Sequence, residues 1–333
     1  MLNFALFGAG RIGKMHAKNI QSMAQANLKY VFDVYAPAAQ DVAAANGAQA
    51  ISTIDEVLND SEVDAVLIAT STDTHVDLII QAAKAGKAIL CEKPIDLDTE
   101  IVNRCLDEIK ECQVPIQIGF NRRYDPSHAA AAKAAQDGGL GKLEQVVITS
   151  RDPGMAPVEY LKSSGGIFRD MIIHDFDMAR FVLNEEIVEV QAIGSALVDE
   201  KITEIGDVDS AMLIMKSESG KLVHVNGSRR ASYGYDQRVE VFCEGGMAIS
   251  NNQTATSLER YTKHTTQEKA PLHNFFIDRY EDAYNLQLIS FIENVEAGTP
   301  VTPSFEDGRR AQMLADAAQK SLETGEKVVL AWS

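Results

Sequence analysis

The segment RDMIIHDFDMAR, residues 169–180, sets ionisable groups among apolar ones. Asp170 and His174 are four apart, so on a helix they share one face. There an imidazole, which titrates near neutrality, can take a proton while a carboxylate orients it. Asp175 and Asp177 follow at once, and Gly165 and Gly166 upstream let the chain turn into a helix. Three chemistries fit: an acid/base pair, a metal site, or a helix with a wet edge. A His with carboxylates at helical spacing can bind zinc or manganese, but no second His or Cys lies close by, which weakens the metal reading. The residues alone also leave a satisfied structural histidine open. Asp175 reads as a solvated helix carboxylate.

A second set of residues could hold a dinucleotide. FGAGRIG places Gly8, Gly10 and Gly13 after an apolar run and at the start of a helix. The first glycine permits a tight turn, the second lets backbone approach a pyrophosphate, and the third lets helix and strand pack closely. The helix start, with Arg11 and Ile12, offers oriented N–H groups to the phosphates. Twenty residues past Gly13, Asp33 ends the second strand, in VFDVY, where a carboxylate can accept from ribose hydroxyls and repel a 2′-phosphate. No Arg or Lys follows in PAAQ, so NAD is expected rather than NADP. ATSTDTH brings Thr70, Ser71, Thr72 and His75 to a strand end, and CEKP brings Glu92 and Lys93 to the next. A strand-end lysine is ordinarily solvated; a place on the cofactor edge of the sheet would give it work.

These residues need a frame. Over residues 1–121 short apolar strand-like runs alternate with helical segments, which predicts a doubly wound parallel sheet covered on both faces. Beyond residue 122 strand-like runs follow one another between 187 and 261, among them IVEVQAIGSAL, DSAMLIMKS, KLVHVNGSRRA, QRVEVFCEGG and ATSLERY. Such a series predicts a mainly antiparallel sheet in an α+β domain spanning 122–333, with helices closing the chain.

Composition narrows the classes of function. A formal charge of −17 over 333 residues argues against nucleic acid and anionic membrane as partners. No apolar run is long enough to span a bilayer, and the start lacks the features of a secretory signal. Cys91, Cys105, Cys112 and Cys243 form no CxxC pair or spaced ligand set, and read as reduced thiols. The expectation is a cytoplasmic protein.

Taken together, GAGRIG, CEKP, GFNRRYDPSH, GGIFRDMIIHDFDMARF, SYGYDQRVEVFCEGG and NFFIDRYEDAYNLQLISFIENVEAG resemble the glucose-fructose oxidoreductase/inositol dehydrogenase (Gfo/Idh/MocA) family, in its inositol 2-dehydrogenase branch. The resemblance covers essentially the whole chain. It implies a Rossmann domain, a second domain with a large open sheet that forms subunit contacts, and a homo-oligomer, usually a tetramer. It implies NAD-dependent oxidation of a ring hydroxyl of a cyclic polyol, with scyllo-inositol or a pyranose as alternatives to myo-inositol. Lys93, Asp170 and His174 match the family's catalytic positions. Arg122 falls with the cofactor, and Arg123, Asp152, Asp177, Tyr233, Tyr235 and Tyr280 with the substrate. Two departures stand out: Cys243 where a Gly is expected, and Asp152 where some relatives carry Asn or His nearby. A sensor that binds NAD without catalysis would be expected to lack Lys93 or His174.

Overall fold

The computed structural model describes residues 1–332. Six strands, β1 (Leu2–Phe7), β2 (Ala26–Phe32), β3 (Gln49–Ala50), β4 (Ala65–Ile68), β5 (Ala88–Cys91) and β6 (Ile116–Ile118), form a sheet in the order β3-β2-β1-β4-β5-β6. All its pairings are parallel. Five helices alternate with them: α1 (Arg11–Ser22), α2 (Ala36–Asn46), α3 (Asp55–Leu58), α4 (His75–Lys84) and α5 (Thr99–Ile109). Strand order reverses at β1 and β4, and ligands of such sheets bind outside the strand ends at that reversal. Every residue of β4 and β5 is buried, which is why these strands are apolar throughout rather than alternating.

The rest of the chain carries α6 (Pro126–Gln136), β7 (Leu143–Arg151), α7 (Val158–Leu161), α8 (Ile173–Leu183), β8 (Ile187–Ser195), β9 (Ser210–Ser217), β10 (Leu222–Ser228), β11 (Asp236–Cys243) and β12 (Gly246–Ser250). A small hairpin, β13 (Glu259–Arg260) and β14 (Glu268–Lys269), precedes α9 (Phe276–Arg279), α10 (Glu281–Ala297), α11 (Phe305–Thr324) and β15 (Val328–Val329). The larger sheet runs β12-β11-β7-β10-β9-β8-β15. It is antiparallel except where β10 pairs with β7 in parallel. Burial alternates strictly along β9: Ala211, Leu213 and Met215 point inward, while Met212 and Ile214 point out. Ile193 on β8, Phe242 on β11, and Met247 and Ile249 on β12 are exposed too, so much of the outer face is apolar. The run ATSLERY, expected as a full strand, contributes only Glu259 and Arg260 to the hairpin; Leu258 is exposed and has no sheet to join.

A linear division at 121/122 does not describe the end of the chain. One compact unit comprises Met1–Asn121 and Tyr284–Gln312, and the other comprises Arg122–Ala283 and the chain from Met313 onward. The reason is packing. Leu288, Phe291 and Ile292 of α10, with Val301, are buried in one core with Phe4, Leu6, Leu28 and Leu67 of the parallel sheet. The Phe4 and Phe291 rings lie 6.0 Å apart. No helix among the described residues is long and apolar enough to cross a membrane.

Candidate active site

In the first unit the glycine-rich turn has the shape that a dinucleotide requires. Gly8 has φ +98°, and a Cβ there would fall 2.3 Å from the Ala69 carbonyl oxygen. At Gly13 a Cβ would fall 1.9 Å from the Gly8 oxygen, so α1 can approach β1 only with glycine at this place. Around Gly10, by contrast, nothing lies within 4 Å of such a Cβ. That open space, over the N-terminus of α1, is what a phosphate approaching backbone amides needs. Asp33 holds the turn: one carboxylate oxygen accepts from the Ala9 amide at 2.7 Å, the other from Tyr35 at 2.8 Å. Each oxygen keeps a lone pair for a ribose hydroxyl.

Two other residues expected to face the cofactor turn into the protein instead. His75 is 1% exposed, with Nδ1 at 2.8 Å from the Pro94 oxygen and Nε2 at 3.2 Å from the Thr70 oxygen. Burial depresses its pKa, against the two carbonyls, and a neutral ring donates to one of them, the nearer being the Pro94 oxygen after β5. Glu92 lies 2.8 Å from Nε2 of the buried His16, a residue that nothing in its sequence context singled out. Thr70 is engaged by the Thr74 hydroxyl at 2.7 Å. Ser71 and Thr72 open the short turn leading into α4, and Lys93 follows β5 at intermediate burial.

In the second unit the opening segment is not one regular helix. A single π-helical turn spans Phe168–Ile172, and α8 begins at Ile173. Such a turn widens the spacing on a helix and is found mostly at functional places. It carries Asp170, and His174 stands in the first turn of α8. Every residue from Met171 to Arg180 is buried except His174. The wet edge thus reduces to Arg169, Asp170 and His174. Asp170 is gripped from two sides: Oδ1 accepts from Tyr160 at 2.8 Å and Oδ2 from Arg229 at 2.8 Å. Neither Tyr160 nor Arg229 stood out in the sequence, because one sits in the one-turn helix α7 and the other is one of two adjacent arginines.

Asp175, read as solvated, is wholly buried. Arg122 donates to it at 2.7 Å and to Ser150 at 3.2 Å. Burial drives the Asp175 carboxyl up to about 6 against the pull of Arg122. Arg122, expected with the cofactor, is therefore engaged inside the second unit, with its guanidinium 5.6 Å from the Tyr280 ring centre. Arg123 and Asp177 form a bidentate pair at 2.8 and 2.5 Å, with Asp177 1% exposed. Tyr235 and Tyr280 are both buried and meet edge to face at 6.0 Å. Tyr233 is exposed, and its hydroxyl donates to Asp236. Asp152 follows β7; burial drives its carboxyl up to about 6, opposed by Arg229 and Arg122. Among the described residues no group of three or more His, Cys, Asp or Glu side chains gathers as a metal site.

The fold and the glycine cradle define an NAD-binding oxidoreductase of the Rossmann type. A family model for the oxidoreductase family with the NAD-binding Rossmann fold matches residues 2–120, and the GFO/IDH/MocA C-terminal domain matches residues 128–249. The chain belongs to the GFO/IDH/MocA family. It is 48% identical over 330 residues to an inositol 2-dehydrogenase of Rhizobium meliloti, covering 99% of each chain. The crystal structure of a myo-inositol dehydrogenase from Corynebacterium glutamicum is similar over 100% of both chains, with a TM-score of 0.96 and 43% identity. A scyllo-inositol dehydrogenase from Lactobacillus casei, solved with NAD(H) and scyllo-inositol, has a TM-score of 0.91 at 26% identity over 99% of each chain.

Proposed function

We propose that this chain oxidises a ring hydroxyl of a cyclic polyol with NAD, converting myo-inositol to 2-keto-myo-inositol. The observation that carries this reading is His174, the one half-buried residue of the otherwise buried stretch Met171–Arg180, in a chain similar along its full length to inositol 2-dehydrogenases. Bound NAD supplies the acceptor for the hydride that leaves the carbinol carbon. His174 takes the hydroxyl proton, and Lys93 holds the oxygen as negative charge grows on it. Asp170 is the carboxylate beside the base. Asp152 is a proposed substrate contact. The Arg123–Asp177 pair and the Tyr235–Tyr280 pair, each fixed by its own contact, act as supports that keep the donors in place rather than as primary ligands. Asp33 favours NAD over its 2′-phosphorylated form by like-charge repulsion.

The similarity to a scyllo-inositol dehydrogenase keeps that isomer as the second reading. Purified protein, assayed with NAD and NADP against a panel of inositol isomers and aldoses, should reduce NAD fastest with myo-inositol. Lys93→Ala and His174→Ala should each lower kcat by about 100-fold or more while NAD still binds. Full activity in His174→Ala would end its role as base. We place the protein in the cytoplasm as a homotetramer, with the apolar outer face of the seven-stranded sheet as a subunit contact.

A further inference from the structure

Arg229 is the largest of the side chains that the protein buries completely, at 2% exposure. It follows β10 directly. Nη1 donates to Asp170 at 2.8 Å, and Nη2 faces Asp207 at 3.8 Å. Asp207 in turn accepts from the amide of Ile167 at 3.0 Å, the residue just before the π-turn. Nε and Nη2 of Arg229 are buried and hydrogen-bond to no described residue. An arginine placed to knit a fold engages most of its five donors, because a buried charge costs several kcal/mol to desolvate and apolar packing does as well or better. This one uses a single strong bond, to a carboxylate of the proposed site. The groups around it are acids: Asp170, Asp207, and Asp152, whose burial-driven rise it is the first charge to oppose.

We infer that Arg229 is a positioning residue for the dehydrogenase site. It fixes the Asp170 carboxylate from behind and faces Asp207, the acid that holds the start of the π-turn, so that His174, four residues after Asp170, is presented in one orientation. The inference rests on the proposed role of His174 as proton acceptor. Tyr160 closes the bracket from the opposite side of Asp170.

The test is a double-mutant cycle on the full-length protein with NAD and myo-inositol. Arg229→Met should lower kcat by about 10- to 100-fold in the parent protein and by less than about 3-fold in the Asp170→Asn background. NAD affinity, read by fluorescence titration, should change less than about twofold in the same variants. Should Arg229→Met fail to fold, Arg229→Lys, which keeps the charge and loses the fork, serves in the same cycle and should retain part of the activity. A second readout needs no turnover. In ¹⁵N-histidine NMR the titration midpoint of His174 should move up in Arg229→Met, because the Asp170 carboxylate, released from its cation, then favours the protonated ring. Losses that multiply in the double mutant, or a His174 midpoint that does not move, overturn the inference. If the parent protein oxidises no cyclic polyol, the proposed function fails by itself, and the imidazole titration still decides what Arg229 does.

Discussion

Asp175→Asn separates the cost of a buried charge from the packing around it. In the fold, burial raises this carboxyl from 3.8 to about 6, with Arg122 recovering only part of the rise. In the unfolded chain it titrates at about 3.9. The folded value is the higher, so the fold binds the proton more tightly. Stability from this group is therefore fully present below about pH 4 and is lost as pH rises through about 6. At about 1.36 kcal/mol per pH unit the whole loss is about 3 kcal/mol, and about 2 kcal/mol of it falls between about pH 4.5 and 7.5. Asparagine fills the same volume and does not titrate. Urea unfolding of both proteins across that range should show the parent losing about 2 kcal/mol relative to the variant as pH rises. An amide in this position adds an offset of about 1–3 kcal/mol that does not depend on pH, and the slope does not contain it. A difference that stays flat, or that moves in favour of the parent as pH rises, would refute the reasoning.

Two further outcomes follow from the geometry. Gly13→Ala puts a methyl group 1.9 Å from the Gly8 oxygen, so α1 must move off β1; NAD binding, measured by calorimetry, should weaken by about 100-fold or more, and Gly10→Ala, with open space, should keep the fold and lose affinity only. Ile214→Arg, in the middle of the exposed sheet face, should shift the protein to smaller species in sedimentation velocity without changing its melting temperature by more than about 2 °C; an unchanged tetramer would move the proposed subunit contact elsewhere.

The glycine turn, Asp33 and the order of the first elements were legible because each follows from short-range rules. A strand, a tight turn and a helix start lie within a dozen residues, and only glycine satisfies the approach at positions 8 and 13. The larger sheet was legible from alternation, though not the parallel pairing of β10 with β7, since alternation says which face is buried and not which neighbour a strand takes. The candidate site was legible only in part. Asp175 and Asp177 look like edge carboxylates on a helix; what buries them are Arg122 and Arg123, more than fifty residues earlier, each matched to one acid. His75 sits among hydroxyls at a strand end, as a cofactor contact would, and only its burial against the Pro94 and Thr70 carbonyls reveals a structural place. The grip on Asp170 could not be read at all, because Arg229 and Arg230 stand side by side and sequence does not say which one turns inward.

The return of α10 to the first sheet has a consequence for synthesis. The strands that cradle the dinucleotide leave the ribosome long before α10, so Phe4 and Leu6 lack part of their packing until Leu288, Phe291 and Ile292 follow. The nascent amino-terminal half must therefore wait with an unfinished hydrophobic surface, and its closure depends on contacts between the most distant parts of the chain, which form slowly. A fragment ending at residue 121 would carry every motif of a nucleotide-binding module and still be the wrong piece to express.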